Sequence, residues 1–174
     1  VNVGVLEREQ RGKWAWFRLT GRLASIRTAL GEGAEHHHVG KPAVLFLCIH
    51  NSGRSQMAAG FMRHLAGERI DVYSAGSAPG DQLNPMAVEA MHEQGIDITS
   101  ATPQKWTDEM ARTADVIVTM GCGDECPIYP GTRVLDWELA DPAGQGIEMV
   151  RVVRDEIEQL VTGLVDELTP SCCA

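Results

Sequence analysis

From residue 43 onward, short apolar runs alternate with amphipathic ones. Ala43-Val-Leu-Phe-Leu47 is continuously apolar over a strand's length, and Ile70–Ala75 and Asp115-Val-Ile-Val-Thr119 repeat the pattern. Arg133-Val-Leu-Asp136 is a shorter fourth run. Unbroken runs of this size predict strands covered on both faces. The segments between them have helical spacing. Ser55–Ala66 places Met57, Phe61, Met62 and Leu65 on one side. Asn84-Pro85 reads as an N-cap followed by Pro at the first helical position, with Gly95 as the stop. Thr102-Pro103 repeats that start signal and predicts a helix to about Thr113. The longest pattern aligns Ile147, Val150, Val153, Ile157, Leu160, Leu164 and Leu168, with Arg151, Arg154, Asp155, Glu158 and Asp166 largely off that face. The alternation predicts a single α/β domain, a four-stranded parallel sheet with helices on both faces. Ligands of such sheets gather outside the carboxyl ends of the strands.

The first 41 residues read differently. Trp16, Leu19, Leu23, Ile26 and Leu30 recur at threes and fours, predicting a short amphipathic helix. It is basic: residues 1–40 hold six Lys/Arg against four Glu, in a chain whose net charge is −9. The expected division is a loosely ordered basic extension over residues 1–41, a domain over 42–168 and a tail over 169–174. His36, His37 and His38 sit among Gly31, Gly33 and Gly40 without a nearby Cys or carboxylate cluster. They read as a linker triplet and predict no metal site. The acidic balance argues against a nucleic-acid partner, and no apolar stretch reaches membrane-span length. Five cysteines, odd in number and scattered, suit a reducing cytoplasm better than a disulfide framework.

The chemistry concentrates where the first strand ends, at Cys48-Ile-His-Asn-Ser-Gly-Arg54-Ser55. A buried strand, a small polar loop and a helix start together build an oxyanion cradle. Loop and helix N–H groups converge on one point, and Arg54 adds a planar, bidentate charge. Cys48 lies at the bottom, so the field that holds a tetrahedral anion also favours a thiolate nucleophile. Ile49, His50, Asn51, Ser52, Gly53 and Ser55 form the cradle's wall. A second signal is Asp141-Pro142, a carboxylate on a stiffened loop after the fourth strand. By itself it is a turn; opposite the cradle it becomes a general acid for an oxygen leaving the substrate.

Together with Tyr73-Ser74-Ala75-Gly76, Asn84-Pro85, Asp97, Val118-Thr119 and Cys126-Pro127, these motifs stand in the order found in low-molecular-weight tyrosine phosphatases and the arsenate reductases that share their fold. The resemblance covers roughly residues 42–168. It implies that Cys48 is the nucleophile, Arg54 clamps the oxyanion and Asp141 is the acid, with Asn51 and Ser55 shaping the cradle. Three features resemble the reductase branch. Ala143 and Gly144 follow Asp141-Pro142 where the phosphatases carry an aromatic residue. The loop continues Ser55-Gln56-Met57-Ala58 in the reductase manner. Cys122 and Cys126 stand just past a strand end, where that branch keeps redox cysteines.

The resemblance therefore implies reduction of arsenate to arsenite in arsenic detoxification, with no tightly bound cofactor. The reductant is an external thiol, either mycothiol with mycoredoxin or thioredoxin. The second thiol is then a small thiol or the Cys122/Cys126 relay. The spacing of that pair, and Ala59 where the relay branch has a potassium-binding Glu, tilt the reading slightly toward the small thiol. Cys172 and Cys173 read as part of a frayed tail. The alternative activity is hydrolysis of an aryl phosphate by a low-molecular-weight phosphatase.

Overall fold

The computed structural model describes residues 6–11, 14–19, 40–121 and 132–170. The chain divides into two compact units, residues 1–37 and 38–174.

The first unit contains an antiparallel hairpin of β1 (Leu6–Arg11) and β2 (Trp14–Leu19), registered from Leu6 opposite Leu19 to Arg11 opposite Trp14. This corrects the predicted helix where it can be tested, because Trp16 and Leu19 lie in β2. Trp14, Trp16 and Phe17 are residues that strands favour, and pairing with β1 satisfies the backbone in the extended form. Leu23, Ile26 and Leu30 lie outside the described residues, as do His36, His37 and His38.

The second unit is built on four parallel strands: β3 (Ala43–Cys48), β4 (Asp71–Gly76), β5 (Val116–Thr119) and β6 (Arg133–Asp136), ordered β4-β3-β5-β6 across the sheet. The central strand β3 is buried along its whole length, which is why it is an unbroken apolar run. Its side chains alternate between two cores. Val44, Phe46 and Cys48 join Val116 and Val118 beneath α1 (Arg54–Ala66), α2 (Pro85–Glu93) and α4 (Ile147–Leu168). Leu45 and Leu47 join Ala75, Ile117 and the short α3 (Asp108–Thr113) on the other face. In the larger core the Phe46 and Trp137 rings sit 5.8 Å apart and tilted, a geometry that adds about 1 kcal/mol beyond burial. Trp106 packs partly buried against the smaller core. Both tryptophans therefore serve packing.

Asn84 caps α2 as expected, accepting from the Met86 N–H at 2.9 Å with Pro85 at the first position, and Gly95 ends the segment at φ 72°. Two other helix readings need correction. The third helix starts at the Thr107 cap, not at Thr102, because the preceding segment pairs with the open edge of β4. Gly76 N–H donates to Gln104 O and Trp106 N–H to Gly76 O, at 2.9 and 3.2 Å. Edge pairing overrides the local Thr-Pro signal. On α4, Val161 and Val165 take the buried positions and Leu160 is exposed. Arg154, read as outward, is buried. Its guanidinium donates to Ala90 O at 3.0 Å and pairs with Glu93 and Asp155, so the charge is fully partnered.

Among the described residues, no helix is long and apolar enough to cross a membrane, and no group of His, Cys, Asp or Glu could hold a metal ion.

Candidate active site

The loop between β3 and α1 opens at the carboxyl end of the central strand, between β4 and β5. Cys48 is the last residue of β3 and is buried. Asn51 turns the chain through a left-handed φ of 50°, an uncommon conformation for a residue with a side chain and one that Asn adopts more readily than most. That turn points the Asn51 N–H at Cys48 Sγ, 3.2 Å away. Ser55 Oγ lies 3.0 Å from the same sulfur, and Asn51 Nδ2 donates to Ser55 Oγ at 2.8 Å.

The loop is clamped from outside. Ala78 N–H, Gly80 N–H and Asn84 N–H donate to the carbonyls of Ile49, His50 and Ser52 at 2.8–2.9 Å, turning those carbonyls away from the cradle. The end of β4 presses closely on the loop. A Cβ on Gly76 would meet Ile49 O at 2.4 Å and Asn51 N at 3.0 Å, so only glycine fits there. α1 starts at Gly53 with no capping side chain and no acidic residue in its first turn. Its leading N–H groups and the positive end of its dipole are thereby left for an anion.

Arg54 is 7% exposed, and its Nη2 lies 3.3 Å from Asp141 Oδ2. Gly121, at φ 71° and two residues past the end of β5, backs the guanidinium; a Cβ there would stand 3.3 Å from Arg54 Nη1. Asp141 is half exposed, and its other oxygen accepts from the Ala143 N–H at 3.1 Å. Ala143 and Gly144 are exposed beside it.

The structure thus brings Cys48, Asn51, Arg54, Ser55 and Asp141 together, with Ile49, Ser52 and Gly53 half-buried in the loop and His50 exposed. Cys122 and Cys126 lie outside the described residues, as do Cys172 and Cys173.

Sequence reading missed the support behind the loop. Gln56 Nε2 donates to both Asn51 O and Asn51 Oδ1 at 3.1 Å, and Ser74 Oγ donates to Gln56 Oε1 at 3.3 Å. Gln104 N–H donates to Asn51 Oδ1 at 2.9 Å. Among the described residues no buried side-chain nitrogen or oxygen lacks a partner. The available signal was weak: Gln56 follows Arg54 and Ser55 in the first turn of α1, and Ser74 is a polar residue between Tyr73 and Ala75 in β4.

A buried cysteine that receives an N–H and lies beside a hydroxyl, with a fork-shaped cation and a carboxylate in the same site, is an arrangement suited to oxyanion chemistry at a thiol. The model of the low molecular weight phosphotyrosine protein phosphatase family matches residues 43–171, and the chain belongs to that family. Within it, a putative arsenate reductase of Halobacterium salinarum is 36% identical over 72% of this chain and 92% of its own. Arsenate reductase 2 of Staphylococcus saprophyticus is 39% identical over 72% of this chain and 98% of its own. A solved thioredoxin-dependent arsenate reductase of Corynebacterium glutamicum superposes with a TM-score of 0.68 at 39% identity, covering 86% of this chain and 71% of that one.

Proposed function

We propose that this chain is an arsenate reductase working through a Cys48–arsenic adduct. The observation that carries the reading is the sulfur itself, held at the cradle floor by an N–H and a hydroxyl, with Arg54 and Asp141 paired at its mouth. The names of the curated relatives support arsenic as the substrate element. Arsenate is a tetrahedral oxyanion nearly isosteric with phosphate, and the first-turn N–H groups of α1 and the Arg54 fork bind its oxygens. Seating the anion moves the guanidinium from Asp141 to the substrate. Cys48 sulfur attacks arsenic(V), a sulfur–arsenic bond forms, and Asp141 protonates the departing oxygen, which leaves as water.

A second thiolate then attacks Cys48 sulfur. A disulfide forms, the sulfur–arsenic bond breaks, and its electron pair stays on arsenic, which departs as arsenite. Two thiols are oxidised and one arsenic is reduced, so the electrons balance. The second thiol comes from a small thiol of the mycothiol type or from Cys122 and Cys126, and a redoxin takes up the oxidising equivalents in the cytoplasm. A Synechocystis relative named as a glutaredoxin arsenate reductase and the thioredoxin-dependent neighbour support redoxin coupling.

The test is arsenite release by the purified chain, supplied in turn with thioredoxin, with glutaredoxin, and with mycothiol plus mycoredoxin. Cys48→Ser should abolish release with every donor. Loss in Cys122→Ser or Cys126→Ser with thioredoxin would assign the internal relay, whereas full activity of both with mycothiol would assign the small thiol. No arsenite under any condition, together with hydrolysis of an aryl phosphate, overturns the reading in favour of a phosphatase.

A further inference from the structure

We propose that Gln56 is a positioning residue that, acting through Asn51, commits the hydroxyl proton of Ser55 to the Cys48 sulfur. Donor and acceptor polarity sets the direction of every bond in this network. A carboxamide can be turned end for end, so its orientation must be fixed by partners of unambiguous polarity. Here two backbone groups fix both amides. The Gln104 N–H can only donate, so the Asn51 atom it meets at 2.9 Å is the oxygen. Asn51 O can only accept, so the Gln56 atom it meets at 3.1 Å is the nitrogen.

Everything downstream follows. Gln56 Nε2 also donates to Asn51 Oδ1, and Gln56 Oε1 receives the Ser74 hydroxyl. With its oxygen occupied by two donors, the Asn51 amide presents its nitrogen to Ser55 Oγ. Ser55 Oγ is an acceptor in that bond, and its own proton is directed to the sulfur 3.0 Å away. Hydrogen bonds therefore run in one direction, Ser74 to Gln56 to Asn51 to Ser55 to Cys48, and each polarises the next. The chain ends on the Cys48 sulfur as acceptor. All five side chains are buried, with Gln56 2% and Ser74 5% exposed, so water does not compete for the links. Gln56 also grips Asn51 O, which helps keep Asn51 in the left-handed turn that aims its N–H at the same sulfur. The Gln56 side chain bonds Asn51 and Ser74, not the sulfur. It acts on the nucleophile only through its neighbours.

This role rests on Cys48 being the nucleophile of the proposed reaction, yet its test needs no arsenate. The full chain is treated with iodoacetamide across pH, and alkylation is followed on the Cys48 peptide by mass spectrometry. Gln56→Met keeps the volume but removes the donor and the acceptor. It should move the pH profile of Cys48 alkylation upward by about one unit, roughly a tenfold slower reaction at neutral pH. Ser74→Ala, a milder change, should move it in the same direction by less. In a Ser55→Ala background, Gln56→Met should move the profile by less than half as much, because the relay is already cut. A Gln56→Met or Ser74→Ala profile that coincides with the parent, or an undiminished shift in the Ser55→Ala background, would overturn the relay. Failure to release arsenite would sink the reductase reading without touching this result.

Discussion

The two sides of the site are built to different standards. On the cradle side the residue behind the sulfur is over-determined. Asn51 alone holds five hydrogen bonds, linking Cys48, Ser55, Gln56 and Gln104, and all of these but the Gln104 residue are buried. On the acid side Asp141 is half exposed, tied by one 3.3 Å ion pair to Arg54 and one turn hydrogen bond to Ala143. The difference matches the work. A nucleophile and an anion hole gain from being fixed before substrate arrives, since reorganisation would add to the barrier. In the proposed reaction Asp141 releases its guanidinium to the substrate and exchanges a proton with solvent, so a single exposed tether suits it.

That contrast can be broken from either side. Asp141→Asn removes the acid but little of the fold. kcat for arsenite release should fall by about 10²–10⁴, while the thermal midpoint stays near that of the parent. Retained kcat would show that the proton comes from elsewhere. Arg54→Lys keeps the charge but loses the planar fork. A fall of roughly 10²–10³ in kcat/KM is expected, accompanied by weaker protection of Cys48 from alkylation by inorganic phosphate. Gly76→Ala attacks the cradle through its backing. Its Cβ would collide with backbone rather than with a movable side chain, so unfolding should be easier by about 1–3 kcal/mol in a denaturant titration.

The smallest effect lies far from the site. Hydrogen bonding by Arg151, with Arg154 adding to it, holds the Glu93 carboxyl at about 2, below its ordinary 4.5. The unfolded chain therefore takes up this proton first. The contribution to stability is complete above about pH 4.5 and is lost as the pH falls toward 2. Glu93→Gln should lower stability at neutral pH and flatten the acid limb between those values. An unchanged limb would mean that the α2–α4 ion pairs do not feed acid stability.

How much of this was legible depends on the range over which each residue's partners act. The α2 cap needed only Asn84, Met86 and Pro85, neighbours in sequence, and it formed as expected. The Thr102-Pro103 signal was of the same local kind but lost to pairing with β4, a strand that local rules do not see. Leu160 and Val161 are adjacent on α4, so choosing which of them is buried requires the helix's rotation against its neighbours. Arg154 looked outward because charge normally faces water. Only the placement of Ala90 O and Glu93 made a buried guanidinium tolerable.

By itself the sequence determined the parallel sheet and singled out the Cys48 loop as the candidate site. An apolar strand, a five-residue turn and a helix start are local objects, and their chemistry follows from residue type and spacing. It also supplied Asp141-Pro142 as a possible acid. Tertiary structure alone decided that Asp141 meets Arg54, that Gly76 must lack a side chain, and that Gln56 and Ser74 stand behind the nucleophile. Those facts depend on segments up to 87 residues apart arriving within hydrogen-bond or van der Waals distance. Such encounters are set by packing of the whole domain, which no local pattern encodes.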